Sequence, residues 1–155
     1  VEDRLLESFI EVYMNSLKYL DEFVSEPARE FQLSFEQYLI LHTVAKQKHV
    51  TLMDIASERR VTRSAISRQI KVLLKRDYIY QLPDETDRRR LYLKLTASGR
   101  KAEEEITKRV HDLFASWIET FGEDKAEWVL QFIQDFSQVA KLDKTATEHQ
   151  IESQD

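Results

Sequence analysis

The chain has 155 residues, with 23 Lys or Arg against 28 Asp or Glu, no cysteine, and only two glycines and two prolines. That length suits one domain, or one subunit of an oligomer, with a buried core, and so little Gly and Pro points to long helices with few turns. The missing cysteine excludes disulfides, thiolate metal sites and thiol switches; no apolar run is long enough to span a membrane, and the acidic start "VEDRLLESF" is unlike a secretory signal, so a cytoplasmic location is the default expectation.

Residues 2 to 24 place Leu5, Leu6, Phe9, Val12, Tyr13, Leu17, Leu20 and Val24 at steps of three and four, the pattern of an amphipathic helix. Pro27 is expected to end or follow it. Ser34 with Gln37 forms a capping-box signature, and Leu33 with Tyr38 the matching staple, opening a helix over about 35–47. Thr51 opens the next helix, with Asp54 placed to favour its positive end. "SERRVT" then leads to a new cap at Thr62 and a helix that keeps Ile66, Ile70, Leu73 and Leu74 on one face and stops near Asp77. Tyr78 to Leu82 reads as a strand, Pro83 to Arg90 as a loop, and "LYLKLT" as the return strand. Thr96 caps a long helix to about Phe121, Gly122 breaks it, and a last helix runs over about 124–142 before a polar tail expected to fray.

The net charge of −5 conceals a strong asymmetry. Residues 48–101 carry 14 basic and 6 acidic side chains, a net of +8, and the rest of the chain is net −13. A contiguous basic third in an acidic protein is the footprint of a polyanionic partner. No acid interrupts Glu58 to Asp77. On the helix after Thr62, Ser64, Arg68, Lys71 and Lys75 align along one side, away from the apolar stripe, with Arg63 and Ser67 beside them. A solvated surface helix would more often mix Glu with Lys. Short hydroxyl and amide side chains among the cations, Thr62, Ser64, Ser67 and Gln69, suit close approach to phosphates and base edges. Two short helices, a tight turn and a basic-tipped hairpin together describe a winged helix-turn-helix. The three arginines of the tip, Arg88, Arg89 and Arg90, suit a narrow minor groove. Asp87 is placed to grip the fork of Arg89 and fix its direction.

At "DRRRLYLKLTASGRK" the sequence resembles the MarR family of bacterial regulators, with an Asp-x-Arg wing leading into a Leu-Thr-x-x-Gly junction. "VTRSAISRQIKVLLKRDYI" is similar to that family's recognition helix and following strand. The likeness covers about residues 35–105. Asp77 stands where the family commonly has glycine, and Asp tolerates the left-handed conformation better than most residues. The resemblance implies a mainly α protein with a small β-hairpin wing. Its single domain, 1–155, would comprise a winged lobe at 33–100, helical dimerisation regions at 1–32 and 101–142, and a polar tail at 143–155. It further implies a homodimer that reads a pseudo-palindromic operator in double-stranded DNA, with repression as the expected outcome. Thr62, Ser64, Arg68 and Lys71 would position the helix on phosphates. Arg63, Ser67 and Arg68 would meet base edges, and Arg88, Arg89 and Arg90 would serve the wing with Asp87. A pocket involving Phe9, Tyr13, Phe35, Tyr38 and Trp117 is implied for a small aromatic or amphipathic effector. His42, His49, His111 and His149 are scattered, so no metal or other cofactor is expected.

Two other readings compete. Asp84, Glu85 and Asp87 could be taken for an Mg²⁺-binding carboxylate cluster of an enzyme. Three adjacent arginines would repel that ion, and no glycine-rich phosphate loop exists. The winged fold could instead dock a protein, a reading that the basic helix face argues against.

Overall fold

A computed structural model of the protein describes residues 2–152, with side-chain surroundings for all of these except 17, 18 and 140–152. It is mainly helical with one antiparallel hairpin. Helix α1 (Glu2–Val12) runs into a five-residue π-helical segment, Tyr13–Leu17, and then α2 (Lys18–Arg29). The periodicity over 2–24 predicts one uninterrupted helix; the π-helical segment is a departure from it. Pro27 does not stop α2, which continues to Arg29. A proline gives up one helix hydrogen bond, but this ring is fully buried, and packing offsets the loss.

Helix α3 (Phe35–Lys46) starts at the expected capping box. Gln37 N–H donates to Ser34 Oγ at 3.1 Å, and Ser34 N–H donates to Gln37 Oε1 at 3.0 Å. Helix α4 (Leu52–Arg59) has a second box, in which Asp54 reaches back to the Thr51 N–H at 2.8 Å. That carboxylate is therefore held below the usual range, first by the Thr51 backbone and then by the Thr51 hydroxyl. The turn after α4 is made by Arg60 in the left-handed region, φ 53°, which lets Val61 N–H reach Ala56 O at 3.1 Å. Helix α5 (Arg63–Lys75) follows, with Thr62 as its N-cap.

Asp77 adopts φ 56°, the left-handed geometry expected there, and turns the chain into the hairpin. Strand β1 (Ile79–Pro83) pairs with β2 (Leu91–Leu95), Ile79 opposite Leu95 and Pro83 opposite Leu91. The foot of the hairpin is tied shut. Thr96 Oγ1–H and Ser98 Oγ–H both donate to Asp77 O, at 2.6 and 2.9 Å, and Thr96 N–H donates to Tyr78 O at 3.1 Å. Thr96 also accepts the Gly99 N–H at 2.9 Å, opening helix α6 (Ala97–Phe121). A Cβ on Gly99 would overlap the Tyr78 carbonyl oxygen, so only glycine lets α6 start this close to β1.

The core of the lobe joins Ile40 and Leu41 of α3, Ile55 of α4, Ile70 and Leu73 of α5, Ile79 and Leu93 of the strands and Ile106 of α6, all fully buried or nearly so. Leu93 N–H donates to Val50 O at 2.8 Å, and the Lys94 ammonium donates to Lys48 O, so β2 is bound to the segment that precedes α4. A polar chain ties α3 to α6. The Tyr38 hydroxyl meets Thr107 Oγ1 at 3.1 Å, Thr107 donates to Glu103 Oε1 at 2.8 Å, and His42 Nδ1 lies 2.7 Å from the same oxygen. Glu103 is buried, and three neighbours satisfy the chain it belongs to.

Two units divide the chain, one up to Val110 and one from His111. In the second, α6 ends at Gly122, φ 87°, and α7 (Glu123–Glu152) follows. The helix expected to finish near 142 continues ten residues further, to Glu152. "DKTATEHQIE" contains no Gly or Pro to stop a helix, and its polarity alone does not. The last three residues of the expected tail and the side chain of His149 lie outside the described residues.

Candidate nucleic-acid interface

Helix α5 splits into two faces. Ile66, Ile70 and Leu73 point into the core, while Arg63, Ser64, Arg68, Lys71 and Lys75 are exposed on the other side. Thr62 is exposed as well. Its Oγ1 caps the Ala65 N–H at 3.2 Å and lies 3.1 Å from Ser64 Oγ, which fixes both hydroxyls at the helix start. Ser67 is half-buried at the edge of this face. Gln69 turns the other way: its amide oxygen accepts from Gln37 Nε2 at 2.9 Å and ties α5 to α3. It belongs to the packing of the lobe rather than to the outward face on which its polarity suggested a place.

The wing turn is organised by a residue that spacing did not single out. Asp84 Oδ1 accepts the Thr86 N–H at 2.8 Å, the Thr86 hydroxyl at 2.6 Å and the Asp87 N–H at 2.9 Å. Its Oδ2 accepts the Tyr92 hydroxyl at 2.7 Å. These bonds, the Thr86 and Tyr92 hydroxyls first, hold Asp84 far below the ordinary carboxylate range. A signal was present in the sequence: Asp with Thr two residues on is a side-chain-closed turn. Asp87 and Arg89 do meet, but through a different atom from the expected fork. Asp87 Oδ1 accepts the Arg89 backbone N–H at 3.1 Å. The Arg90 side chain is exposed beside Tyr92 and Asp87. Its pKa is raised first by the hydrogen bond to Tyr92 and further by Asp84 and Asp87. Arg88, Arg89 and Arg90 are all exposed.

Between the wing and the start of α4 lies a groove of about 790 Å³. Arg63, Asp87, Arg89, Arg90 and Gln81 line it with His49, Met53 and Tyr92. The N-terminal end of α5, through Arg63, and the wing therefore open onto one concavity, in which three arginines stand against Asp54 and Asp87. His49 packs edge-on against Tyr92 at 4.9 Å between centroids.

Of the residues expected to line an effector pocket, Phe35 and Tyr38 stack at 5.6 Å within the lobe, where Tyr38 is buried. Phe9 and Tyr13 are a separate exposed pair at 6.4 Å, and Trp117 belongs to the second unit. Among the described residues no group of three His, Asp or Glu side chains converges on a metal position, and no helix is long and apolar enough to cross a membrane.

Residues 31–90 match the family model described as "MarR family". Over these residues, which span α3 to the wing, the chain is similar to the MarR family. Its similarity to the HTH-type transcriptional regulator FarR of Neisseria gonorrhoeae is 29% identity over 90 residues, taking in 58% of this chain and 62% of FarR. The MarR-type fold extends beyond the matched segment. A Staphylococcus aureus MepR–DNA complex superposes with TM-score 0.71 at 21% identity, covering 85% of this chain and 96% of that one. Staphylococcus aureus MarR in complex with salicylate and kanamycin gives 0.66 at 23% identity, over 90% and 91%.

Proposed function

We propose that the protein is a sequence-specific transcriptional regulator that binds double-stranded DNA as a homodimer on a pseudo-palindromic operator, and that it represses from there. The observation that carries this reading is the concavity, lined by three arginines, that the N-terminal end of α5 shares with the wing. Thr62, Ser64, Arg68 and Lys71 would hold phosphates and set the register of α5 in the major groove. Arg63, Ser67 and Arg68 would read base edges, and Arg88 and Arg89 would reach the minor groove. Transcriptional regulation by FarR and the DNA seen with MepR support the same assignment.

Dimerisation is supported by apolar surface that the described residues leave uncovered. In α1 no residue is buried, and Phe9 is 61% and Tyr13 62% exposed. In α7, Trp128 is 68% and Phe136 65% exposed. A second copy would cover such faces and present two α5 helices about 34–36 Å apart, one turn of the duplex. Relief by a small aromatic or amphipathic effector is part of the proposal, in keeping with the salicylate in the complex of Staphylococcus aureus MarR.

Selection of bound sites from random DNA, followed by a salt titration on the selected duplex, tests the reading. The expected site is a pseudo-palindrome, and log affinity should fall with log salt by roughly 0.9 per phosphate neutralised. A monomeric protein, or one indifferent to every duplex at low salt, would overturn it.

A further inference from the structure

We propose that Asp84 and Tyr92 are positioning residues of the DNA interface: together they hold the wing turn so that the guanidinium groups of Arg88 and Arg89 are presented to the duplex from an ordered backbone. This rests on the DNA-binding reading above and deepens it.

The three arginines of the tip are consecutive, but their surroundings differ. Arg90 lines the groove together with Tyr92, Asp87 and Asp54, and its pKa is raised, first by Tyr92. The Tyr92 hydroxyl has one proton, and it goes to Asp84 Oδ2. Asp84 Oδ1 meanwhile closes the turn on Thr86 and Asp87, and Asp87 in turn fixes the Arg89 N–H. One carboxylate therefore closes the tip and ties it to β2 through Tyr92. By contrast, the guanidinium groups of Arg88 and Arg89 make no ion pair or hydrogen bond to a described residue. A free guanidinium on an ordered backbone reaches a narrow minor groove with less ordering to do on binding.

Tyr92 is also anchored at its other side. Its ring packs against His49, and the neighbouring Leu93 N–H is bonded to Val50 O. Tyr92 is therefore fixed against the segment that precedes α4. Deleting the hydroxyl leaves the ring, the strand pairing and that anchorage in place and removes only the link to Asp84.

The test is a double-mutant cycle on duplex affinity, using the full chain and the selected operator. Arg89→Ala should weaken binding about 10-fold in the wild-type background. Tyr92→Phe should weaken it about 5-fold by itself, with the melting temperature within about 2 °C of wild type. In the Tyr92→Phe background, Arg89→Ala should then cost less than about 3-fold, because an unpositioned arginine has less to lose. Asp84→Asn should show the same reduced dependence on Arg89. A merely structural role would lower affinity without this non-additivity. Full, additive costs of Arg89→Ala in both backgrounds would overturn the positioning role while leaving DNA binding intact. Failure of the wild type to bind any duplex would overturn the underlying reading together with it.

Discussion

The winged lobe and the terminal helices use their apolar residues in opposite ways. In the lobe, α3, α4, α5, the hairpin and the start of α6 all send side chains into one core, and Ile40, Leu41, Ile55, Leu73 and Ile106 have no exposed surface. Its polar groups are equally enclosed: two capping boxes, the tied hairpin foot and the Tyr38–Thr107–Glu103–His42 chain. In α1 and α7 the large side chains face outward, with Leu5, Phe9, Trp128, Phe132 and Phe136 each more than half exposed. Both regions read as amphipathic in the sequence. The difference is that the lobe encloses its own core, whereas the described residues of α1 and of α7 each leave a broad apolar face exposed.

That contrast can be broken at the lobe first. Gly99→Ala forces a methyl group onto the Tyr78 carbonyl, which neither backbone can readily evade. Thermal or denaturant unfolding should show a loss of about 3 kcal/mol or more; near-wild-type stability would mean that α6 and β1 are not so close. At the other pole, Trp128→Asp together with Phe132→Asp should weaken self-association about 100-fold or more and leave the lobe folded. Analytical ultracentrifugation reads the first effect and native-state hydrogen exchange in α3 and α5 the second.

Smaller effects refine the picture. Glu103→Leu leaves His42 and Thr107 without their acceptor, and unfolding should report about 2 kcal/mol of destabilisation. Ser34→Ala removes only one half of a capping box and should cost about 1 kcal/mol. Acid gives the mildest test. Asp54, Asp84 and Glu30 are all held below their ordinary values, by Thr51, by Thr86 with Tyr92, and by Arg109 respectively. Groups lowered in the folded state contribute stability above their unfolded values and lose it as pH falls through the folded ones. The Thr86 amide signal should therefore keep its position as pH is lowered through the usual carboxylate range and move only below it, and that low-pH movement should be absent in Asp84→Asn.

How much of this was legible in the sequence follows from the range of each interaction. The caps at Ser34, Thr51 and Thr62, the left-handed Asp77, the alternation of "LYLKLT" and the break at Gly122 are local, and the structure contains them all. Gln69 reads as part of the polar face suited to phosphates and base edges because its partner Gln37 lies 32 residues away on α3, and Glu103 carries no local sign of burial because His42 lies 61 residues away. Asp84 sits in between: its turn bonds are local, but its bond to Tyr92 crosses the hairpin. The π-helical segment has no marker in the residues that form it. The extra turns of α7 were missed because polarity was read as an end, when only a breaker or a cap ends a helix.

The knot of bonds among Asp77, Tyr78, Thr96 and Ser98 makes the hairpin leave and re-enter the lobe at one spot. Strain or length changes at the tip are thus insulated from the body beneath. Because closing a loop costs only about 0.6 kcal/mol for each doubling of its length, the reach of this appendage can drift over evolutionary time, and a longer or shorter finger can be grafted here, with the stability of its pedestal nearly untouched.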